Sequence, residues 1–386
     1  MTTDVVPTPN TPVTVVGASV AGLFSAYYLA RHGVPVRVYE RQPELAPAPR
    51  TLIVTPAWLR LLDFDAGDAI VNRTGTFELI GRATAVRIPL REPDVIIERD
   101  AFLRLLADQV RRAGGEIVFD HRLESVDDGD DALTLRFRNG RGEETVRATA
   151  ALGADGVHST AARAVPGDDV ERVGLVQARV ALPSDLPPDT VRCWFDRGST
   201  RFFYWLIPES PHTGVAGLIA DTQSQAREAL DRFLRDHDLQ PIAYQQDAPV
   251  PMHALRFSGE PGDGRVLLAG DAAAQVKVTT VGGVVTGMRG GLAAARSIHH
   301  ATPYAAELRS LRRELNAHAL VRRVLDGFSD ADYDRLLRSL NDQAVRILSH
   351  YNRDELVRAI WRLVPAQPRW LLLGARALVR GFRPER

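Results

Sequence analysis

Three glycine-centred signatures and a single lysine supply the residue types from which chemistry can be built in this chain of 386 residues. The first is VTVVGASVAGLFSAYYLARHGVPVRVYER, in which Gly17, Ser19 and Gly22 take the spacing of a G-x-G-x-x-G turn with serine in the middle place. Gly17 permits a sharp turn, Ser19 is small enough for backbone to approach a pyrophosphate, and Gly22 lets helix and strand pack closely. The helix N-terminus then offers free N–H groups to phosphate. Glu40, followed by Arg41, ends the next strand 18 residues after Gly22, where a carboxylate accepts hydrogen bonds from ribose hydroxyls. The second signature is Asp155-Gly156 in ALGADGVHSTAAR, and the third is Gly270-Asp271 in RVLLAGDAAAQVKVTTVGGVVTGMRGG. A carboxylate directly after a glycine-terminated strand can bind the hydroxyls of a ribityl chain. Gly282 and Gly283 open a helix whose N–H groups suit a ring edge that becomes negative on reduction. Lys277, the only lysine among 48 basic residues, lies between that carboxylate and that helix.

The elements that must position these residues follow from the apolar pattern. Residues 13–16 read as a strand, 20–32 as a helix stopped by Gly33, and 36–39 as a second strand entered through Pro35, which together make one βαβ unit with parallel pairing. A helix over 100–113 stops at Gly114-Gly115 before a strand over 116–119, Asn139-Gly140 marks a hairpin, and the acidic stretch 127–131 reads as a solvated turn. From 171 to 221 strands such as 191–195 and 202–207 alternate with proline punctuation, the pattern of an antiparallel sheet. The strand 265–268 and the helix after Gly283 return to the opening style, and from 301 onward the chain is helical. The expected fold class is α/β with an α+β insert. A Rossmann-like dinucleotide lobe is built from residues 1–72, 95–168 and 257–300. An antiparallel substrate lobe is built from 73–94 and 169–256, and a helical region covers 301–386.

Bulk composition narrows the partners. Equal numbers of basic and acidic residues, 48 each, argue against a nucleic-acid binder that works by bulk positive charge. One cysteine, Cys193, excludes an internal disulfide and any multi-cysteine metal site, and His299-His300 stands too isolated to hold a metal, so no metal is expected. The first ten residues carry an acid and prolines in place of an export signal, and no apolar run approaches the roughly 20 residues needed to cross a bilayer, so a cytoplasmic setting is expected. The tail is different. Residues 351–386 hold eight arginines against three acids, with Trp361, Trp370 and the apolar run 371–373. Such a segment either packs on the first lobe with its arginines in water or lies on an anionic membrane surface. Oligomeric state is not legible here.

Taken together, the three motifs resemble the FAD-dependent family that includes para-hydroxybenzoate hydroxylase and the geranylgeranyl reductases, over nearly the whole chain. Gly17, Ser19, Gly22 and Glu40 match its first motif. Arg50 in PAPRTL matches an arginine near the flavin in hydroxylases, and Arg99 in VIIERDAFLRLL matches the arginine before a helix that contacts the cofactor. Asp155-Gly156 and Gly270-Asp271 match its DG and GD motifs. The resemblance implies tightly bound FAD, with NADPH or NADH as reductant. GDAAAQVKVTTVGG is similar to the reductase form GDAAGQVKPTTGGG, with Val278 and Val281 in place of the proline and one glycine. ERQPELAPAPRTL, by contrast, looks like a hydroxylase loop. TRFFYWLIPESPHTGVAGLIAD resembles the reductases' aromatic strand and is also similar to a flavin-halogenase motif, although the N-terminal half has no lysine for halogenase chemistry.

The resemblance therefore implies an FAD-dependent oxidoreductase reducing C=C bonds of an apolar, isoprenoid-type substrate. The alternatives are a single-component FAD monooxygenase acting on a secondary metabolite and a non-catalytic flavin-binding module. Alkene reduction needs a proton donor, for which Tyr204 and His212 are candidates, and Lys277, beside the third signature, is a further candidate catalytic residue. Phe203, Trp205, Pro208 and Val278 are candidates for the wall of an apolar substrate pocket.

Overall fold

The computed structural model describes residues 12–45, 48–129, 132–165, 170–245, 247–253 and 264–381. The acidic turn 127–131 therefore falls partly outside the described residues. Strand β1 (Val13–Val16), buried at every position, leads through the glycine turn into helix α1 (Val20–Arg31) and strand β2 (Val36–Tyr39). A short strand β3 (Thr51–Val54), helix α2 (Ala57–Leu61) and two long strands, β4 (Ile70–Ile80) and β5 (Ala85–Glu98), follow. Helix α3 (Arg99–Arg112) buries Phe102, Leu103, Leu106, Ala107 and Val110, the i, i+4, i+8 stripe of a helix seated on a sheet. Beyond it lie β6 (Glu116–Val118), the meander β7 (Arg122–Asp128), β8 (Leu133–Asn139) and β9 (Gly142–Ala148), and then β10 (Ala151–Gly153). The next group comprises β11 (Arg172–Ala181), β12 (Thr190–Trp194), β13 (Tyr204–Pro208), β14 (Thr213–Ala220), helix α4 (Gln223–Asp236), β15 (Pro241–Tyr244) and β16 (Ala248–Pro251). Strand β17 (Val266–Leu268) and helix α5 (Val284–His300) precede the helices α6 (Tyr304–Asp326), α7 (Asp330–Arg338), α8 (Asp342–His350), α9 (Leu356–Ala366) and α10 (Arg369–Gly381).

Five strands form a parallel sheet in the order β17-β10-β1-β2-β6, the doubly wound arrangement expected of a dinucleotide lobe. A nine-stranded sheet runs β15-β11-β14-β13-β12-β4-β5-β3, with β16 beside β11. It joins two distant stretches of chain through one parallel pairing, Thr190 with Thr76 through Trp194 with Ile80. The early excursion into this sheet spans 51–98, wider than the 73–94 expected, because β3 pairs antiparallel with the far end of β5. Helix α4, entered through a capping box at Thr222, buries Leu230, Phe233 and Leu234 against one face of the large sheet. The opposite face looks toward the parallel lobe and forms the functional cavity.

Candidate active site

The turn after β1 has the geometry that its residue types dictate. Gly17 stands at φ 97°, and a Cβ there would meet Ala154 O at 2.6 Å. Ser19 caps α1 by accepting from Gly22 N, and a Cβ on Gly22 would lie 2.1 Å from Gly17 O. Glu40 braces the turn from the next strand: its carboxylate accepts from Ala18 N at 2.8 Å and from Gln42 N at 2.9 Å. The N–H groups at the start of α1 are left facing a cavity, together with Ser19, Val20 and Ala21.

The Gly270-Asp271 loop is held from behind. Gly270 N donates to Gln275 Oε1, Gln275 Nε2 donates to Tyr304 OH, and the fully buried Tyr304 donates to Leu268 O. Residues 277–282 then close a tight turn, with Val281 N donating to Lys277 O and Lys277 N to Gly282 O. Val281 adopts φ 53°, a conformation in which a β-branched residue stores on the order of 1–3 kcal/mol of strain, at a place where the reductase pattern has glycine. Gly283 caps α5, so the free N–H groups of that helix open toward Asp271, whose Oδ1 lies 3.4 Å from the Cβ position of Gly283.

Two arginines flank this carboxylate. Arg50 precedes β3 and Arg99 begins α3; Arg50 N donates to Glu98 Oε1 at 2.6 Å, and Arg50 O accepts from Arg99 N at 3.0 Å. Enclosure, reinforced by the neighbouring Arg99, pushes the Arg50 guanidinium down to about 10, and enclosure also lowers Arg99. Enclosure raises the Asp271 carboxyl against the pull of both arginines. Arg50 Nε and Thr280 Oγ1 are shut off from solvent without a hydrogen-bond partner among the described residues. A buried polar atom of this kind costs about 1–3 kcal/mol unless a ligand satisfies it.

Ser19, Arg50, Arg99, Gly270, Asp271, Lys277 and residues 280–283 border one cavity of about 650 Å³. From the α1 N-terminus it passes Arg99, Asp271 and residues 282–283, and it ends in a chamber walled by Phe77, Phe203, Trp205 and Ile207 of the large sheet. Residues 348–356 close its far side. There Lys277 Nζ meets Asp354 Oδ1 at 2.7 Å, with both side chains almost wholly buried, and Thr55 donates to the other carboxylate oxygen. Burial raises the Asp354 carboxyl, and Lys277, helped by the Thr55 hydrogen bond and Arg353, more than reverses it. Burial lowers Lys277 despite Asp354. Arg353 pairs in the same way with the buried Asp94. His318 Nε2 faces Arg353 O, which only accepts, so Nε2 carries the proton and Nδ1 accepts from the Thr279 hydroxyl. Burial and the adjacent Lys277 hold His318 down to about 3, and it is neutral.

Most of the sequence-derived residues converge on the cavity. Ser19, Arg50, Arg99, Gly156, Gly270, Asp271, Lys277, Gly282, Gly283, Phe203 and Trp205 line it, while Gly17, Gly22 and Glu40 shape the turn behind it. Asp155 is committed elsewhere: it accepts from Ser159 Oγ, Thr160 N and Ala161 N and so caps the turn after β10. Arg41 is exposed beside Glu40, outside the cavity lining. Four expectations are corrected. Strand alternation that points Phe203 and Trp205 into the cavity turns Tyr204 to the other face, where it stacks on Phe233 of α4 at 4.4 Å. His212 sits exposed in the β13–β14 hairpin. Pro208 and Val278 are buried without lining the chamber; Ile207 and Val281 take those places. The sequence reading missed Arg353, Asp354, His318 and Asp94, which no local motif marks. A lone lysine bound for the interior nonetheless requires a carboxylate somewhere.

Cys193 also lines the chamber, and burial pushes its thiol up to about 12. Iodoacetamide at pH 8 is expected to leave the native protein unlabelled and to alkylate it fully once denaturant is added. Rapid native labelling, read by intact mass, contradicts this placement of Cys193.

The comparisons agree with this architecture. The profile of the FAD binding domain family matches residues 10–321. Aklavinone 12-hydroxylase RdmE of Streptomyces purpurascens is 30% identical over 71% of this chain and 59% of its own length. Digeranylgeranylglycerophospholipid reductase 2 of Methanothermobacter thermautotrophicus is 26% identical over 87% of this chain and 93% of its own. The crystal structure of a geranylgeranyl bacteriochlorophyll reductase-like protein from Thermoplasma acidophilum superposes with a TM-score of 0.78 at 19% identity, covering 94% of this chain and 99% of the other, a likeness of fold. The chain spans about 60% of the length of three curated relatives that it matches at 30–31% identity.

Proposed function

Because the chain belongs to the FAD binding domain family, we propose that it is an FAD-dependent oxidoreductase that reduces C=C bonds of an apolar, isoprenoid-type substrate, with NAD(P)H as reductant. The residues present suit the cofactor. Gly17 allows the sharp turn and Gly22 the close packing of α1 that together present the Ser19 turn to a pyrophosphate, Glu40 is placed to accept from a ribose, and Asp271 is open to the cavity with no side-chain hydrogen bond to the described residues. The unpartnered Arg50 Nε and Thr280 Oγ1 border the same space. When bound, FAD supplies hydride transfer.

The observation that carries the reading is the chamber itself: a mostly apolar, aromatic-walled space that opens directly against Asp271 and residues 282–283. Phe77, Phe203 and Trp205 offer flat apolar surface to a hydrocarbon chain and keep water from the reacting carbons. The polar groups at its end are already engaged. Lys277 is tied to Asp354, and the Thr279 hydroxyl is directed at His318, so that end anchors the wall and, among the described residues, sets no free carboxylate against the substrate. The near full-length match to a reductase acting on a geranylgeranyl lipid supports the same substrate class.

A second reading, a single-component FAD monooxygenase, is favoured by Arg50 at the cavity and by the aklavinone hydroxylase relative. Product mass separates the two. Incubation of a polyprenyl substrate with NADPH is expected to add two hydrogens per double bond reduced and to proceed without oxygen. A product that gains an oxygen atom, formed only in air, overturns the reductase reading.

A further inference from the structure

We propose that the outer face of α9 and α10 docks on an anionic phospholipid surface. The two helices carry five arginines and no acidic residue from 356 to 380, in a chain whose formal net charge is zero. They also hold four of the large apolar residues that the structure leaves most exposed: Trp361 at 77%, Leu372 at 64%, Val379 at 61% and Leu371 at 57%.

The arrangement is that of a helix pair lying flat on a membrane. With 100° per residue, Leu371, Ala375, Val379 and Leu372 fall within one arc of α10, and Arg376, Arg369 and Arg380 follow along a single edge of it. On α9 the exposed side carries Trp361 with Arg358 and Arg362 to one side of it, while Leu356 and Ala359 on the other side line the substrate chamber. The exposure is not that of a loosely attached end. Ala377 of α10 is fully buried against the backbone at Gly327, where a Cβ would lie 2.2 Å from Ala377 O. Trp370 Nε1 donates to Ser339 Oγ, and Arg380 pairs with the buried Asp332. The helix is thus fixed with its apolar stripe outward. Among the described residues no carboxylate pairs with Arg362, Arg369 or Arg376.

Arginines edging a tryptophan-and-leucine stripe match an anionic headgroup layer above acyl chains. A second copy of this chain presenting the same face would set arginine against arginine, which makes the membrane the better occupant. No described helix is long and apolar enough to cross a bilayer, so the contact is with its surface. Because α9 both walls the chamber and lies under this face, docking would set a lipid substrate next to the chamber wall.

The test uses the full-length flavoprotein and does not depend on turnover, so it can fail independently of the reductase reading. Flotation with vesicles of phosphatidylglycerol and phosphatidylcholine is expected to carry the protein upward, while pure phosphatidylcholine vesicles leave it behind, and 0.5 M NaCl is expected to cut the bound fraction several-fold. The double substitution Trp361→Ser, Leu372→Ser is expected to weaken partition by about tenfold or more with the flavin absorbance unchanged. Vesicles with brominated acyl chains are expected to quench tryptophan emission in the wild type and much less in Trp361→Phe, which decides the matter should the double variant not fold. Failure to float on anionic vesicles, or equal quenching in Trp361→Phe, overturns the proposal. So does a lipid-free dimer that Trp361→Ser breaks apart.

Discussion

Lys277→Met is expected to lower the unfolding free energy by about 3–5 kcal/mol at pH 7, the loss that follows when one partner of a buried ion pair is removed and the other stays charged in the interior. Lys277 and Asp354 are 6% and 2% exposed, and among the described residues Thr55 gives the carboxylate its only other hydrogen bond from a side chain. The sign of the pH dependence follows. In the wild type the folded Asp354 sits below its ordinary value, so its contribution is present above about pH 4 and is lost as pH falls through the folded value. Without Lys277, burial is opposed only by the Thr55 hydrogen bond and the nearby Arg353, the folded carboxyl rises, and the penalty is largest at neutral pH and shrinks as acid protonates it. Urea midpoints at pH 7 and pH 4.5 therefore converge for variant and wild type. A constant gap sinks this account, and so does a loss under about 1 kcal/mol. The double variant Lys277→Met, Asp354→Leu is expected to recover most of the loss, because an apolar pair of similar volume replaces buried charges at little cost. Lys277→Arg keeps the charge but enlarges the head beside Gly282, where the lysine Cε is 3.3 Å from the Cβ position. Flavin reduction or turnover is expected to change in that variant, and unchanged kinetics would reduce the only lysine of the chain to an accident of codon usage.

Gly22→Val is expected to yield a colourless protein. Any Cβ at position 22 lies 2.1 Å from Gly17 O, a backbone atom held by the turn, so helix α1 must move away from β1 and its N–H groups leave the pyrophosphate position. A loss of about 3 kcal/mol corresponds to more than a hundredfold weaker FAD binding. The ratio of absorbance at 450 nm to that at 280 nm reads this directly, with circular dichroism to check that the sheet persists. A variant that purifies with full flavin content would falsify the assignment of this turn to the cofactor.

The parts of the site legible from sequence are those whose geometry is local. The β1 turn, Glu40 at the end of β2 and the Gly270-Asp271 loop each need only a few consecutive residues in a strand, turn and helix, and each is found where its spacing places it. The chamber was half legible. Phe203 and Trp205 are marked as wall and Tyr204 as a proton donor, but strand alternation has two phases, and only the docking of α4 on one face decides that Trp205 looks inward and Tyr204 outward. The Asp354 and Arg353 partners were not legible, since they reach Lys277 and Asp94 across 77 and 259 positions of chain through the packing of the last helices, which leaves no periodic trace. The wider extent of the second sheet was missed for a similar reason: β3 has four residues and is a strand only because β5 lies beside it.

The parallel sheet also fixes an order of assembly. Strand β1 is synthesised first, yet its neighbour β10 ends at Gly153 and the edge strand β17 ends at Leu268, while the chamber closes only with residues 348–356. Until residue 153 the nascent chain therefore exposes a centre strand flanked on one side only, by β2, and until residue 194 a half-built second sheet whose parallel joint, β4 with β12, bridges more than a hundred residues. Contacts this distant form slowly, and surfaces left waiting for them invite misassociation. A cofactor whose binding turn is complete early but whose walls arrive last is captured after synthesis and then clamps the finished arrangement by mass action. Flavin supply during expression thus bears on how much of this protein survives to be folded, as well as on how much of it is active.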